Sequence, residues 1–476
     1  MNILKAAEDP KLFGPWFKDR ATWTAWRAFL AALFGEPMSE DEAATYRACT
    51  GRKVLPTVPT NEAWLVIGRR GGKSFVMALI AVYLACFKSY REFLAPGERA
   101  TVLVIATDRR QARVILRYAK AMVDGIPMLK RMLESDPRAD GFDLKNQVTV
   151  EVGTATFRGT RGYAFAAVLC DELAFWNTDD AAEPDFEILD AIRPGMSSIP
   201  TSVLLCASSP YARRGALWDA YKRFYGVDGA PLVWQASTRT MNPTIRQEVI
   251  DRAIDRDASS AAAEYGAQFR TDIEGFISRE AVEACVATGV RERAPLSSQR
   301  YTAFVDPSGG SADSFTLAIG HMENAVAVLD ALREVRPPFS PEGVVADYAK
   351  LLKAYGVTKV QGDRYAGEWP REQFRKHGID YEPSARPKSD LYRDVLPALN
   401  SKKADLLDHD RLVAQFASLE RRTSRGGRDS IDHPPNGHDD VANAVAGCLV
   451  GLVGQTAPTV AMFLSARHRS GSGDGR

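Results

Sequence analysis

Short apolar runs alternate with helix-like stretches between Trp64 and about residue 236. Five of the runs are rich in β-branched residues and continuously apolar: AWLVI (63–67), TVLVIA (101–106), AAVLC (166–170), SVLLCA (202–207) and LVWQA (232–236). A strand with one face in solvent alternates apolar and polar residues, whereas a strand covered on both faces does not. The pattern therefore predicts a mostly parallel sheet with helices on both of its faces.

A second pattern begins at Tyr301. Three strand-like runs, YTAFVDP, SFTLAIGH and AVAVLDAL, follow one another closely, as in an antiparallel meander. A helix over about 341–355, the strand KVQGD (359–363) and further helices come next. Three strands followed by alternating helix and strand is the order of an RNase H-like domain, so the pattern predicts a second α/β domain.

The residue composition changes between these two patterns and again after the second. Residues 237–297 are charged and helical, and they predict a helical linker or lid. The terminal stretch SARHRSGSGDGR is polar and rich in Gly and Ser, which predicts a disordered tail over 456–476. The predicted division is 1–236, 237–297, 298–455 and 456–476.

Composition narrows the classes of function. The 61 basic residues nearly balance the 60 acidic ones, so any contact with a polyanion must come from local patches. Neither the six cysteines nor the six histidines form a cluster of zinc-ligand spacing, and the cysteines are expected to be buried thiols of a reducing compartment. The N-terminus lacks the apolar core of a signal peptide, and no uncharged window reaches 18 apolar residues. We expect a soluble, cytoplasmic protein without a membrane partner.

A glycine-rich basic turn, GRRGGKS, follows the first apolar run. A phosphate-binding loop needs a strand, a glycine turn and a Lys-Ser pair that opens a helix. Gly71 and Gly72 provide the turn, and Lys73 and Ser74 provide the cation and the magnesium-binding hydroxyl. The full GxxxxGK[ST] pattern fails because Ile67 stands at the position of the first glycine. Taken alone, the stretch also fits an ordinary basic turn.

Acidic and hydroxyl residues end two later strands. ATP hydrolysis needs a carboxylate for magnesium and a residue that orients the attacking water. Asp171 and Glu172 terminate the run AAVLC and fit these roles, with Glu172 as general base, although two such acids also suit a helix cap. Ser208 and Ser209 follow SVLLCA, where they would sense the γ-phosphate or form a simple turn.

A second set of acids lies in the C-terminal half. A two-metal nuclease needs carboxylates that converge from separate elements. Asp306 ends the first strand of the meander, Asp363 ends KVQGD, and Asp439 and Asp440 begin a predicted helix. Asp313, in the hairpin between the first two strands, is a possible auxiliary ligand. Each acid alone also fits a cap or a turn, and Asp439 is well placed as an N-cap.

A flexible polar loop, RRTSRGGRDS, lies between Asp363 and Asp439. It gathers Arg421, Arg422, Arg425 and Arg428. Such a run is usually a solvated surface. Beside a nuclease site it would also bind the DNA backbone through salt-sensitive phosphate contacts, and both interpretations remain open.

Five blocks in this order resemble the large terminase subunit of tailed double-stranded DNA bacteriophages. The blocks are GRRGGKS (68–74), VLCDE (168–172), CASSP (206–210), FVDPSGG (304–310) and GHDDVANA (437–444). The stretches NPTI (242–245) and EYGAQF (264–269) also look like the connecting region of that family. The resemblance covers roughly residues 10–455.

The resemblance implies a fold and a set of roles. The N-terminal domain would be a P-loop ATPase of the ASCE type, joined through the helical linker or lid to an RNase H-like nuclease domain. ATP and one Mg²⁺ would bind at Lys73 and Ser74, with Asp171 as the Walker B acid and Glu172 as the catalytic carboxylate. Ser208 and Ser209 would couple hydrolysis to movement. Two Mg²⁺ or Mn²⁺ ions would bind at Asp306, Asp363 and Asp440, with Asp439 beside them.

The family also implies arginines at the ATP site. Arg69 or Arg70 of the loop would touch phosphate, and an arginine finger would be Arg158 or Arg161 of the stretch FRGTRG. The residues do not decide between these four. The adenine-contacting motif expected near the N-terminus is not evident, because WFKDRATWTAWRAFL lacks the expected glutamine.

As a member of this family the chain would move double-stranded DNA into a procapsid and cut concatemeric DNA at the start and end of packaging. Its partners would be a small terminase subunit, the portal protein and copies of itself in a ring, a pentamer by resemblance. It would act in the host cytoplasm and transiently at the portal, and be absent from the mature virion. The alternatives are a helicase or repair ATPase with an accessory nuclease, and a non-enzymatic DNA-binding protein. A helicase would need a second RecA-like domain, and the acid-bearing meander argues against one.

Overall fold

Two compact units make up the computed structural model, which describes residues 1–155, 162–176, 184–229, 231–311, 313–363, 368–423, 429–435 and 437–455. The first unit comprises Met1–Thr178 and Glu183–Glu274, and the second comprises Asp179–Ala182 and Gly275–Arg476. The division after Glu274 falls inside the segment predicted as a linker or lid. The first part of that segment therefore packs as part of the first unit.

A seven-stranded sheet forms the centre of the first unit, in the order β3-β4-β2-β5-β6-β1-β7. Neighbouring strands are parallel except β3 and β4, which are antiparallel. The five predicted strands are confirmed, and β3 and β4 were not predicted. The strands are β1 Glu62–Ile67, β2 Ala100–Ala106, β3 Gly141–Leu144, β4 Val148–Thr154, β5 Ala164–Asp171, β6 Val203–Ser208 and β7 Leu232–Ala236.

The helix that follows β1 is apolar on all sides. It begins at Lys73, and every residue from Val76 to Ala85 is buried. A helix with no polar face must be covered by protein all round, as expected for the helix behind a phosphate-binding loop in a central sheet. The helices of this unit are α1 Ile3–Glu8, α2 Thr24–Phe34, α3 Glu40–Thr50, α4 Lys73–Phe87, α5 Arg109–Gly125, α6 Pro127–Lys130, α7 Pro184–Met196, α8 Gly215–Phe224, α9 Thr238–Met241, α10 Gln247–Arg256 and α11 Ala258–Glu264.

The second unit contains a mixed sheet in the order β14-β13-β10-β11-β12-β15-β9. The meander β10-β11-β12 is antiparallel, and β13 and β14 continue it in parallel on the other side of β10. This is the RNase H-like order, so the predicted fold class is confirmed. The strands from the border onwards are β8 Ile273–Gly275, β9 Val286–Ala287, β10 Tyr301–Asp306, β11 Phe315–Glu323, β12 Val326–Val335, β13 Lys359–Gly362, β14 Asp380–Pro383, β15 Ala404–Leu407, β16 Glu420–Thr423 and β17 Asp429–Asp432.

Helices cover both faces of this sheet, and the last helix approaches it very closely. A Cβ atom on Gly447 would lie 2.4 Å from the ring of Phe304 in β10. Only glycine permits this approach, which brings the start of the helix over the end of β10. The helices are α12 Arg279–Glu283, α13 Pro341–Ala354, α14 Trp369–Lys376, α15 Lys388–Asn400, α16 Asp410–Ser418 and α17 Asp440–Gln455.

Two general expectations can be compared with the structure. All six cysteines are unpaired, and five of them are buried, as predicted from their scattered apolar positions. Within the described ranges, every helix is too short or too polar to cross a membrane. The predicted tail, 456–476, lies outside the described residues.

Candidate functional sites

The predicted ATP-binding residues meet at one edge of the first sheet. Strand β6 lies between β1 and β5 and is parallel to both, with Val66 opposite Ser208 and Asp171 opposite Ala207. The carboxyl ends of parallel strands face the same edge, which is where open α/β sheets bind ligands. The phosphate-binding loop, the two acids and the two serines are therefore neighbours.

Lys73 is buried at the centre of this edge. Its Nζ donates hydrogen bonds to Ile67 O at 3.1 Å and to Ser209 Oγ at 3.1 Å. It also lies 3.5 Å from Glu172 Oε1. A buried ammonium is tolerated only with such partners, so the lysine is held where its charge faces the acids of the neighbouring strands.

Glu172 has a strained backbone and a firmly held side chain. Its φ of 51° lies in the left-handed region, which is costly for a residue with a side chain and is found mainly where function requires it. Its Oε2 accepts hydrogen bonds from Ser208 Oγ at 3.2 Å and from the Ser209 N–H at 3.3 Å. The two serines predicted to couple hydrolysis to movement thus orient the predicted base.

Asp171 has the properties of a ligand for a divalent cation. Ser74 Oγ donates to its Oδ2 at 3.3 Å, whereas its buried Oδ1 accepts no hydrogen bond from the described residues. Burial and the charge of Glu172 raise the pKa of Asp171 to about 7, against the opposing effects of Lys73 and Ser74. A buried acceptor without a partner is unfavourable, and Mg²⁺ binds such oxygens. The residues present fit a magnesium ion.

Three successive carbonyls of the phosphate-binding loop are held by side chains distant in sequence. Trp26 Nε1 donates to Gly71 O at 2.8 Å. Thr238 Oγ1 donates to Arg69 O at 2.8 Å, and Asn242 Nδ2 donates to Arg70 O at 2.9 Å. We call these three donors the loop clamp. Sequence reasoning did not identify any of them, although Asn242 opens the NPTI stretch quoted above.

The loop clamp also explains why the first glycine of the loop is Gly68, one position after Ile67. A Cβ atom on Gly68 would lie 2.4 Å from Thr238 Oγ1 and 2.7 Å from Tyr265 O. Glycine is therefore required at this position, one residue after the first glycine of the usual pattern. Arg70 adopts a φ of 64°, a left-handed conformation that the hydrogen bond from Asn242 stabilises.

The four arginines predicted at the ATP site differ in their surroundings. Arg69 is paired with Glu264, whose Oε1 lies 3.0 Å from its Nη1. Arg70 is exposed at the turn itself. Arg158 and Arg161 lie outside the described residues. Of the two loop arginines, Arg70 is therefore the better placed to reach a bound phosphate.

Asn242→Ala should weaken ATP binding about 3- to 10-fold without unfolding the first unit, since one hydrogen bond contributes about 1 kcal/mol. The lost bond would let Arg70 relax and so alter the turn. The measurement is the affinity for a fluorescent ATP analogue. Asn61→Ala is the matched control, because Asn61 Nδ2 donates to Pro200 O at 2.8 Å at the start of β1, far from the loop. Equal affinities for Asn242→Ala and the unchanged chain would contradict a role for the clamp.

In the second unit, two of the predicted acids converge on one side chain. Val305 of β10 pairs with Gly362 of β13, which places Asp306 beside Asp363. Asn443, in the first turn of α17, donates from Nδ2 to Asp306 Oδ2 at 2.9 Å and to Asp363 Oδ2 at 3.3 Å. The asparagine was not predicted, although it lies inside the GHDDVANA block. One amide nitrogen thus occupies the point on which both carboxylates converge.

The carboxylates of this cluster lie close enough to disfavour one another's ionisation. Burial raises the pKa of Asp306 well above its usual value, and the carboxylates of Asp440, Asp363 and Asp439 raise it further, against the hydrogen bond from Asn443. Carboxylates that disfavour one another's ionisation are relieved by a divalent cation. The residues present at Asp306 and Asp363 fit such an ion.

Asp440 is held at the start of α17 by the second strand of the meander. Its Oδ2 accepts the Ser314 N–H at 3.1 Å, and its carbonyl accepts from Thr316 Oγ1 at 2.7 Å. Burial raises the pKa of Asp440 to about 6, with Asp439 and Asp313 acting in the same direction. Asp313, the possible auxiliary ligand, lies 3.6 Å from His438 Nδ1.

Asp439 has a different environment from the one predicted. Its Oδ2 accepts from Tyr392 OH at 2.7 Å and lies 2.9 Å from Lys388 Nζ. A helix cap was one of the two roles predicted for its side chain, but the N–H groups of Val441 and Ala442 donate instead to Gln415 Oε1, at 2.9 and 3.0 Å. The side chain that caps α17 comes from α16, so a capping role for the Asp439 side chain is wrong.

The DNA-binding candidates that the structure describes are paired with acids. Arg421 forms an ion pair with Asp429 across the β16–β17 hairpin. Arg422 Nη2 lies 3.0 Å from Glu420 Oε2 and donates to His433 O at 2.9 Å. Arg425 and Arg428 lie outside the described residues. A role in DNA binding stays a prediction for all four.

No protein-family model matches the sequence, and no curated protein matches it. The chain is similar to solved structures of large terminases, the family that its motifs resemble. The HK97 bacteriophage large terminase is 17% identical, with a TM-score of 0.39 over 90% of this chain and 99% of that one. A large terminase from a thermophilic bacteriophage, in complex with ATP-gamma-S, is 14% identical with a TM-score of 0.36 over 88% and 99%. The large terminase nuclease from thermophilic phage G20c, with bound magnesium, is 14% identical with a TM-score of 0.32 over 36% and 96%. At such low identities and TM-scores, these similarities do not assign roles to individual residues. The roles are therefore argued from the geometry of this chain.

Proposed function

We propose that the chain is a large terminase: an ATP-driven motor that moves double-stranded viral DNA into a procapsid, and a metal-dependent endonuclease that cuts concatemeric DNA at the start and end of packaging. One observation carries the proposal. A single chain combines an ATPase constellation of Lys73, Asp171 and Glu172 with an acid cluster of Asp306 and Asp363 on an RNase H-like sheet.

At the ATPase site, each side chain has a distinct task. Lys73 binds the β- and γ-phosphates, and Arg70 approaches them from the turn. Glu172 accepts a proton from the attacking water, and its bonds to Ser208 and Ser209 hold it for this step. A magnesium ion at Asp171 and Ser74 would neutralise charge on the phosphates. Because Ser208 ends β6 and Ser209 follows it, they would pass a change at the γ-phosphate to the chain that follows.

At the nuclease site, Asp306 and Asp363 hold the divalent metal, Mg²⁺ or Mn²⁺. When bound, such an ion lowers the pKa of a water molecule and stabilises charge on the scissile phosphate. Asn443 keeps the two carboxylates converged, and the Ser314 N–H fixes Asp440 beside them. The motifs lead us to expect two ions, with Asp440 and Asp439 contributing to the second.

The remaining partners follow from this function. Arg421, Arg422, Arg425 and Arg428 would bind the DNA backbone. A small terminase subunit, the portal protein and a ring of identical subunits, by resemblance a pentamer, would complete the motor. Arg158 or Arg161 would act as the finger in a neighbouring subunit's ATP site. The protein would act in the host cytoplasm and at the procapsid portal, and be absent from the mature virion.

The strand order of the second unit favours this function over a helicase. A helicase of the two-domain class needs a second parallel RecA-like sheet. Here the antiparallel meander β10-β11-β12 supplies the centre of the sheet, and its first strand ends in Asp306.

Magnesium-dependent ATP hydrolysis with and without DNA, together with cleavage of plasmid DNA, tests the proposal. We expect DNA to stimulate hydrolysis, and we expect cleavage that EDTA abolishes. A chain that unwinds a partial duplex in the presence of ATP and never cuts plasmid DNA would instead be a helicase.

A further inference from the structure

The side-chain amide of Asn443 is satisfied at one end only. Asn443 is 1% exposed, and its Nδ2 donates to Asp306 Oδ2 at 2.9 Å and to Asp363 Oδ2 at 3.3 Å. Its Oδ1 is buried as well, and it accepts no hydrogen bond from the residues that the structure describes. A buried acceptor without a partner is unfavourable, and folded proteins retain few of them. The oxygen of this amide is therefore available to a ligand that the acids attract.

The two acids fix which end of the amide faces them. An ionised carboxylate only accepts hydrogen bonds, so the nitrogen of Asn443 must be the atom that faces Asp306 and Asp363. A divalent cation has the opposite requirement, because Mg²⁺ and Mn²⁺ bind oxygen atoms and an N–H group repels them. The nitrogen is within hydrogen-bonding distance of the two oxygens that would bind the ion. Entry of the ion must therefore move this nitrogen.

The backbone that carries Asn443 is held in place. Its N–H donates to Asp439 O at 2.7 Å, and Gln415 caps the same turn of α17. Four positions later, Gly447 lies against the ring of Phe304 in β10. The movement left to the amide is rotation about its terminal side-chain bond, where the preferred orientations are broad and roughly two-fold. Half a turn about this bond exchanges Nδ2 for Oδ1.

We propose that Asn443 Oδ1 is a ligand of the ion that Asp306 and Asp363 bind, and that the amide turns over when this ion enters. The inference rests on the proposed nuclease function. Without the ion, Nδ2 holds the two carboxylates together. With the ion bound, the metal holds the carboxylates, and Oδ1 gains the partner that it lacks.

The choice of asparagine at position 443 follows from these two tasks. A neutral amide carries a donor and an acceptor on one side chain, so the same residue can serve both states. Aspartate would supply a ligand but would add a carboxylate to a cluster that already disfavours ionisation of Asp306. Leucine, which has a similar shape, would supply neither a donor nor a ligand.

The first test locates the amide in the unchanged full chain. Crystals are soaked in Mn²⁺, and the anomalous scattering of manganese marks each ion. We expect an ion bound to Asp306 and Asp363 with Asn443 Oδ1 about 2.0 to 2.2 Å away, an ordinary metal–oxygen distance. An ion bound to both acids with the whole amide more than about 3 Å from it would overturn the inference.

The second test changes the ligand at position 443 from oxygen to sulfur. Thiolates prefer softer metals than oxygen ligands do, so Asn443→Cys should bind Cd²⁺ with the ultraviolet absorption of a cadmium–thiolate bond. The band should saturate at one ion per chain and disappear when Asp306→Asn is added. Binding of Mn²⁺ by Asn443→Cys, measured by calorimetry, should weaken at least about 10-fold. A merely structural asparagine would give no such band.

Asn400→Cys is the matched control, because Asn400 is an exposed asparagine at the end of α15 in the same unit. Its thiol should give no band that depends on Asp306. The unchanged chain, with its six cysteines, sets the baseline. If Asn443→Cys gives no band, or a band that survives Asp306→Asn, the side chain at 443 does not reach the ion.

The outcomes separate this inference from the proposed function. If the unchanged chain neither binds Mn²⁺ at Asp306 nor cuts plasmid DNA under any condition, the nuclease assignment fails and the inference fails with it. If the ion binds Asp306 and Asp363 while Asn443 stays out of its reach, only the role of Asn443 fails. Should Asn443→Cys not fold, the crystal structure of the unchanged chain with Mn²⁺ still decides.

Discussion

Asp306→Asn should abolish cleavage of plasmid DNA while ATP hydrolysis continues at the rate of the unchanged chain. Asparagine keeps the shape of the side chain and removes the charge on which the metal depends. Removing a residue that is hydrogen-bonded to a metal ligand lowers metal affinity or activity about 10- to 100-fold. Removing a ligand itself should lower the rate of cleavage further. ATP hydrolysis is spared because Lys73, Asp171 and Glu172 belong to the other unit.

Cleavage is followed as the conversion of supercoiled plasmid to nicked and linear forms. Asp347→Asn is the control, since Asp347 is an exposed acid of α13 in the same unit. Rapid cleavage by Asp306→Asn, or cleavage by the unchanged chain in EDTA, would rule out the metal site at the end of β10.

Glu172→Gln is expected to slow ATP hydrolysis about 10²- to 10⁴-fold, the usual contribution of a general base, while ATP still binds. An amide cannot accept the proton of the attacking water. Gln retains an oxygen that can accept from Ser208 Oγ and from the Ser209 N–H, so the left-handed turn at 172 should persist.

Steady-state hydrolysis and the affinity for a fluorescent ATP analogue, measured on the same preparation, separate turnover from binding. Glu187→Gln provides the control, because Glu187 is an exposed acid of α7 in the same unit. If Glu172→Gln hydrolyses ATP as fast as the control, the base is another residue.

The strands that carry the site acids could be predicted because a strand that is buried on both faces is a continuous apolar run in the sequence. A continuous apolar run that stops at a charged residue indicates where the strand ends, as at Asp171 and Asp306. The strands β3 and β4 were missed. Their sequence, GFDLKNQVTVEVGT, mixes polar with apolar residues, and β3 is the edge strand of the sheet with β4 next to it.

The partners of the acids could not be predicted, since they come from distant parts of the chain. Lys388 is 51 positions from Asp439, and Gln415 caps α17 from another helix. The directions of two adjacent acidic side chains also cannot be read from the sequence. Consecutive residues at a helix start point in different directions, so sequence alone cannot say which of Asp439 and Asp440 faces Asp306. Their bonds to Lys388 and to Ser314 distinguish them.

The loop clamp has a consequence for dissecting the protein into fragments. A fragment that stops at residue 236 would contain GRRGGKS, VLCDE and CASSP, and would count as a complete ATPase by its motifs. It would lack Thr238 and Asn242, which hold two carbonyls of the phosphate-binding loop, and also Glu264, the partner of Arg69. The three partners lie 169, 172 and 195 residues after the loop residues that they contact, so synthesis of the polypeptide must proceed that far before these contacts can form. The smallest fragment that hydrolyses ATP should therefore extend to Glu274, where the first unit ends.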